Sequence, residues 1–85
     1  MTREELTSKL LEIFSRQFEI DQPGLDENLG EAYEFDSIDA IELLREIEII
    51  LGSQLTRDEK KKAMDIRTIN QIVDYILALA KDRAA

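Results

Sequence analysis

Threonine followed three residues later by glutamate or glutamine recurs at Thr2/Glu5, Thr56/Glu59 and Thr68/Gln71. In this pairing each side chain satisfies a backbone amide that the first turn of a helix leaves unpartnered, so each pair marks a helix start. After Thr2, the residues Leu6, Leu10, Ile13 and Phe14 recur at spacings of three and four, with Leu11 and Phe18 widening the stripe. That spacing predicts a helix with one buried face, ending near Glu19 before Asp21-Gln22-Pro23-Gly24. Thr56 predicts a short helix through about Met64 with Lys60, Lys61 and Lys62 in solvent. After Thr68, Ile69, Ile72, Val73, Ile76 and Leu79 or Ala80 predict a last helix that frays in Lys81-Asp82-Arg83-Ala84-Ala85.

One further helix starts at Asp36 or Ser37. Asp36 is a competent cap, Asp39 stands three residues on, and both place negative charge at the positive end of the helix dipole. Gly52 can end this helix in the left-handed conformation. A helical projection puts Ala40, Ile41, Leu44, Ile47 and Leu51 inward. It puts Ile38, Asp39, Glu42, Arg45, Glu46 and Ile49 outward. Between the first two long helices, Ile20 to Phe35 keeps no helical period and is long for a connection, the median being about 4–6 residues. Ile20, Leu25, Leu29, Tyr33 and Phe35 are expected to anchor it, with room for a helical turn within Asp26 to Glu34.

No β pattern competes, so the fold class is all-α: a four-helix bundle of three main helices and one short one, in a single domain spanning residues 1–85. The balance of 19 acidic against 11 basic side chains, a net charge of -8, repels nucleic acid and anionic lipid and favours basic protein partners. The opening Met1-Thr2-Arg3-Glu4-Glu5 lacks an apolar signal core, and the apolar run from Tyr75 to Ala80 is far short of the roughly 20 residues that span a bilayer. The expectation is a cytosolic monomer without stable membrane insertion. Cysteine and histidine are both absent, which excludes disulfides, thiolate nucleophiles, imidazole bases and Cys/His zinc sites.

Ser37 carries what chemistry remains. A lone serine at a helix start is ordinarily a cap, but Asp36 already fills that role and leaves the Ser37 hydroxyl in the first turn, free to point outward. The run Asp36-Ser37-Ile38-Asp39, with Ile41-Glu42-Leu43 after it, Gly52 at the helix end and Ile72-Val73-Asp74-Tyr75-Ile76 near the terminus, resembles the acyl carrier protein family over nearly the whole chain. The family's corresponding words are Asp-Ser-Leu, Val-Glu-Leu and Val-Ile-Asp-Tyr-Ile. The resemblance implies a 4′-phosphopantetheine attached covalently to Ser37 by a phosphopantetheinyl transferase, with acyl groups held as thioesters on its thiol. It also implies that the outer face of the Asp36 helix docks partner enzymes: acyltransferases, ketosynthases or acyl ligases with basic docking patches. Asp36, Ile38, Asp39, Glu42, Arg45, Glu46 and Ile49 are the candidate contacts.

Some positions depart from the family's habit. Ala32-Tyr33-Glu34-Phe35 replaces the usual Asp-Leu-Gly-Ala before the site, Arg45 stands where an apolar residue is common, and Ile49-Ile50 replaces acidic residues. Thr56 to Arg67 is longer than usual. These changes point to a specialised carrier serving a dedicated synthase or ligase. Among other classes, a calcium loop beginning at Asp26 fails because Glu31 and Ser37 occupy the positions that need glycine and glutamate. An unmodified acidic adaptor that binds basic partners is the stronger alternative. Nothing collects an acid and a base in one loop, so an enzyme is the weakest reading.

Overall fold

A computed structural model describes residues 1–84. Five helices follow in order: α1 (Arg3–Phe18), α2 (Leu29–Tyr33), α3 (Ser37–Leu51), α4 (Arg57–Ala63) and α5 (Ile69–Ala84). The three Thr boxes close as the sequence predicts. Thr2 Oγ1 accepts from the Glu5 amide and Glu5 from the Thr2 amide, and Thr56 with Glu59 does the same. Gln71 accepts from the Thr68 amide while Thr68 Oγ1 accepts from Gln71.

The core is one cluster drawn from all three long helices. Leu6, Leu10 and Phe14 of α1 meet Leu43 and Ile47 of α3 and Ile69, Ile72, Val73, Ile76 and Leu79 of α5. Ile13 is buried as well. The spacing in α1 and α5 therefore reads directly as the packed face. Gly52 ends α3 at φ 69°, and its amide donates to the carbonyls of Glu48 and Ile49.

The segment between α1 and α3 is pinned, but not wholly by the anchors expected. Ile20 and Leu29 are buried, and Phe35 joins Phe14 and Phe18 in an aromatic trio with ring centroids 5.2–5.4 Å apart. Leu25 instead lies at the surface, 37% exposed. Its contribution is a backbone one: the Leu25 carbonyl accepts from the Asn70 amide at 3.0 Å, the Arg67 carbonyl accepts from the Leu29 amide at 2.9 Å, and the Asn70 side chain donates to Asp26 at 2.7 Å. Hydrogen bonds to the start of α5 replace the apolar anchor. The possible turn of helix within this segment is α2, capped by Asn28.

At the other end, α5 does not fray where the charged tail begins. It stays helical to Ala84 because Arg83 is tied down. Its guanidinium donates to both Glu59 carboxylate oxygens at 2.9 and 3.0 Å, to Ser53 Oγ at 2.6 Å and to the Gln54 carbonyl at 3.1 Å. The Tyr75 hydroxyl donates to the Glu59 carbonyl at 2.6 Å. These bonds hold α4, none of whose residues is buried. Ala85, the last residue of the tail expected to fray, lies outside the described residues.

Candidate functional site

Asp36 is extended and sits just before α3, where its Oδ1 accepts from the amides of Ile38 and Asp39, both at 3.0 Å. Asp39 Oδ2 accepts from the Asp36 amide at 3.2 Å, which completes a reciprocal box. The two carboxylates thus satisfy the amides at the helix start by themselves. Ser37 is the first helical residue, exposed, and among the described residues no group hydrogen bonds its hydroxyl. The cap fixes the backbone on either side of Ser37 and leaves its hydroxyl oxygen free.

A cavity of about 330 Å³ opens beside this turn. Phe35 and Ala40, which flank Ser37 in sequence, line it together with Leu44, Ile47, Met64 and Ile66. A phosphodiester on the Ser37 oxygen fits the site: the oxygen faces solvent, no existing bond has to break, and the Ile38 and Asp39 amides already have a partner in Asp36. With the carboxylates of Asp36 and Asp39 adjacent, like charge would disfavour a phosphate on Ser37 folding back onto them.

The outer face of α3 differs from the projection in two places. Ile41, expected inside, is 55% exposed, and Leu43 takes the buried place instead. At about 100° per residue Ile41 lies roughly a third of a turn from the centre of the arc formed by Leu43, Ile47, Ala40 and Leu44. Glu46, expected to project freely, is half-buried against α1, where it accepts from Gln17 Nε2 at 3.1 Å and pairs with Arg16 at 3.7 Å. The remaining residues lie as the spacing requires. Ile38 and Ile49 are 71% and 73% exposed, Glu42 and Arg45 form an exposed pair at 3.6 Å, and Asp39 is half-buried by its capping role.

Three polar contacts elsewhere in the fold were not visible in the spacing. The Glu48 carboxylate accepts from the Leu55 amide at 2.8 Å. Tyr33 donates to Glu27 at 2.7 Å, and this bond holds the Glu27 carboxyl below and the Tyr33 hydroxyl above their ordinary values. Arg83 reaches Glu59 across the bundle, and the hydrogen bond it donates pulls the Glu59 carboxyl down to about 2. In the sequence, Glu59 carries the signal of a capping residue alone.

A protein-family model described as "Phosphopantetheine attachment site" matches residues 8–76. The chain is 32% identical over 78 residues to the acyl carrier protein of Lactobacillus johnsonii, covering 89% of this chain and 94% of that protein. It is likewise 32% identical over 79 residues to the acyl carrier protein of Rubrobacter xylanophilus, covering 91% and 94%. No solved structure gives a significant match. With a capped helix start, an unengaged serine hydroxyl and relatives of this kind, the chain belongs to the acyl carrier protein family, carriers without catalysis of their own that bear a covalent 4′-phosphopantetheine.

Proposed function

We propose that Ser37 is the residue that carries the 4′-phosphopantetheine, and that the chain presents acyl thioesters to partner enzymes. The observation that carries this reading is the division of labour at the start of α3. Asp36 and Asp39 cap the helix, and the Ser37 hydroxyl between them is exposed and uncommitted. When attached, the group supplies the thiol that a chain without cysteine lacks. In the loading step the Ser37 oxygen forms a bond to the phosphorus of coenzyme A that bears the pantetheine, and adenosine 3′,5′-bisphosphate leaves. The serine proton passes to a base of the transferase, since no imidazole or thiolate exists here to take it.

The docking face extends from Asp36 along the outer side of α3. Asp36, Asp39 and Glu42 give its Ser37 end negative charge that steers basic residues of the transferase and the acyl-processing enzymes, and Ile38 beside the attachment residue is the apolar contact. Arg45 and Ile49 continue the same face. Glu46 contributes through α1, because Arg16 and Gln17 hold it there. The carrier acts as a monomer in the cytosol, and Arg45 with Ile49-Ile50 suits it to a dedicated synthase or ligase rather than to primary fatty acid synthesis.

The test is incubation of the folded protein with coenzyme A and a broad-specificity phosphopantetheinyl transferase, followed by intact mass measurement. The expected result is a gain of one phosphopantetheine that Ser37→Ala abolishes. No gain by the folded wild-type chain, or a gain that survives Ser37→Ala, contradicts the assignment.

A further inference from the structure

Ile41, Arg45 and Ile49 are spaced by four, so they form one ridge along the exposed side of α3. Ile38 lies next to its upper end. Three isoleucines more than half exposed on a 15-residue helix are a concentration that ordinary surface composition does not require, and such patches mark contact sites. A cation sits in the middle of this one.

The acidic side chains around the ridge are engaged elsewhere or held weakly. Asp36 and Asp39 cap the helix, Glu46 is held by Arg16 and Gln17, and Glu48 accepts from the Leu55 amide. Glu42 alone meets Arg45, at 3.6 Å with both side chains well exposed, a pair that water and salt largely screen. The groove between α1 and α3 next to Ile49 carries both signs, Lys9 and Arg16 with Glu5, Glu12 and Glu46, so the unbalanced cation of this face is Arg45 itself. A partner that is basic along its whole contact would press like charge onto Arg45. One that offers a carboxylate there would exchange a screened surface pair for a desolvated one flanked by isoleucines.

We propose that the Ile41–Arg45–Ile49 ridge docks an acyl-processing enzyme through an apolar patch carrying a carboxylate opposite Arg45, a proposal that rests on the carrier reading above. The interface is then divided by charge. Basic residues of the enzyme meet the Asp36 and Asp39 end, and an acidic residue meets Arg45, about 9 Å beyond Asp39 along the axis at 1.5 Å per residue. Two contacts of opposite sign fix both the register and the direction of the enzyme on α3. That in turn fixes where the Ser37 arm enters.

The test uses the protein loaded at Ser37 with a pantetheine analogue ending in a haloacrylamide, mixed with each ketosynthase of its own organism. The enzyme's catalytic cysteine forms a bond to the acrylamide carbon, halide leaves, and the rate of the covalent adduct reports docking. Loading is checked by mass first, so a failure to load indicts the carrier reading and not the ridge. Between equally loaded proteins with matching thermal melts, Arg45→Glu is expected to slow capture about tenfold or more, and Arg45→Lys to stay within about threefold of wild type. Reversing the facing carboxylate of the enzyme to lysine restores capture of Arg45→Glu. Capture that Arg45→Glu leaves within about twofold or accelerates, as a wholly basic partner requires, overturns the proposal. So does a fully loaded wild-type protein that no ketosynthase captures.

Discussion

Asp36 and Ser37 are adjacent and have different physical jobs. The Asp36 carboxylate accepts two amide bonds at the start of α3, whereas the Ser37 hydroxyl accepts and donates none among the described residues. Asp36→Ala should therefore cost about 1–2 kcal/mol of stability, the range for losing a good cap. Asp36→Asn should restore most of it, because the amide oxygen can still accept. Ser37→Ala should change stability by less than about 0.5 kcal/mol, as expected for a surface group without partners. Urea denaturation of the three variants checks this. If Ser37→Ala proved as damaging as Asp36→Ala, the hydroxyl would be part of the cap and the separation of roles would be wrong.

Among the elements, the ends of α3 and α4 were legible to different degrees. Helix starts and the left-handed stop at Gly52 are written in local chemistry, so their positions follow from neighbouring residues alone. A Cβ at residue 52 would meet nothing within 4 Å, yet φ is +69°. Gly52→Ala should therefore cost about 1 kcal/mol through the backbone alone, lowering the melting temperature by about 4–8 °C. The orientation of α3 was harder to read, because Ile38, Ile41, Leu43, Leu44, Ile47, Ile49, Ile50 and Leu51 are more apolar residues than one stripe can hold. Contact with α5 selects among them, and one sequence window carries no information about that contact. The Arg83–Glu59 bond is invisible for the same reason, its partners being 24 residues apart. Arg83 lowers the Glu59 carboxyl from its ordinary 4.5 to about 2, so the stabilisation is present above pH 4.5 and is lost as pH falls toward 2. Arg83→Met should lower stability at neutral pH and flatten the acid side of the stability profile between those values. Chemical denaturation at a series of pH values measures this, and a wild-type acid slope in the variant would contradict it.

The whole molecule combines a small apolar core, a net charge of -8 and one uncommitted hydroxyl at a helix start. The class of fold and the place of Ser37 just after its Asp36 cap were readable because helix-start chemistry marks each long helix and apolar spacing gives the packed faces of α1 and α5. The pinning of the first connection by α5 and the tether on α4 were not, since both depend on hydrogen bonds between distant segments. A specialised carrier should complement loss of a housekeeping acyl carrier protein poorly even when fully loaded. Efficient rescue of growth would place it in primary fatty acid synthesis instead. The central claim is met most directly by fragmenting the intact protein isolated from its own cells in a mass spectrometer. A phosphopantetheine found on the fragments that contain Ser37, and absent from all others, is the predicted result; a chain that carries none, or carries it on another residue, contradicts the account.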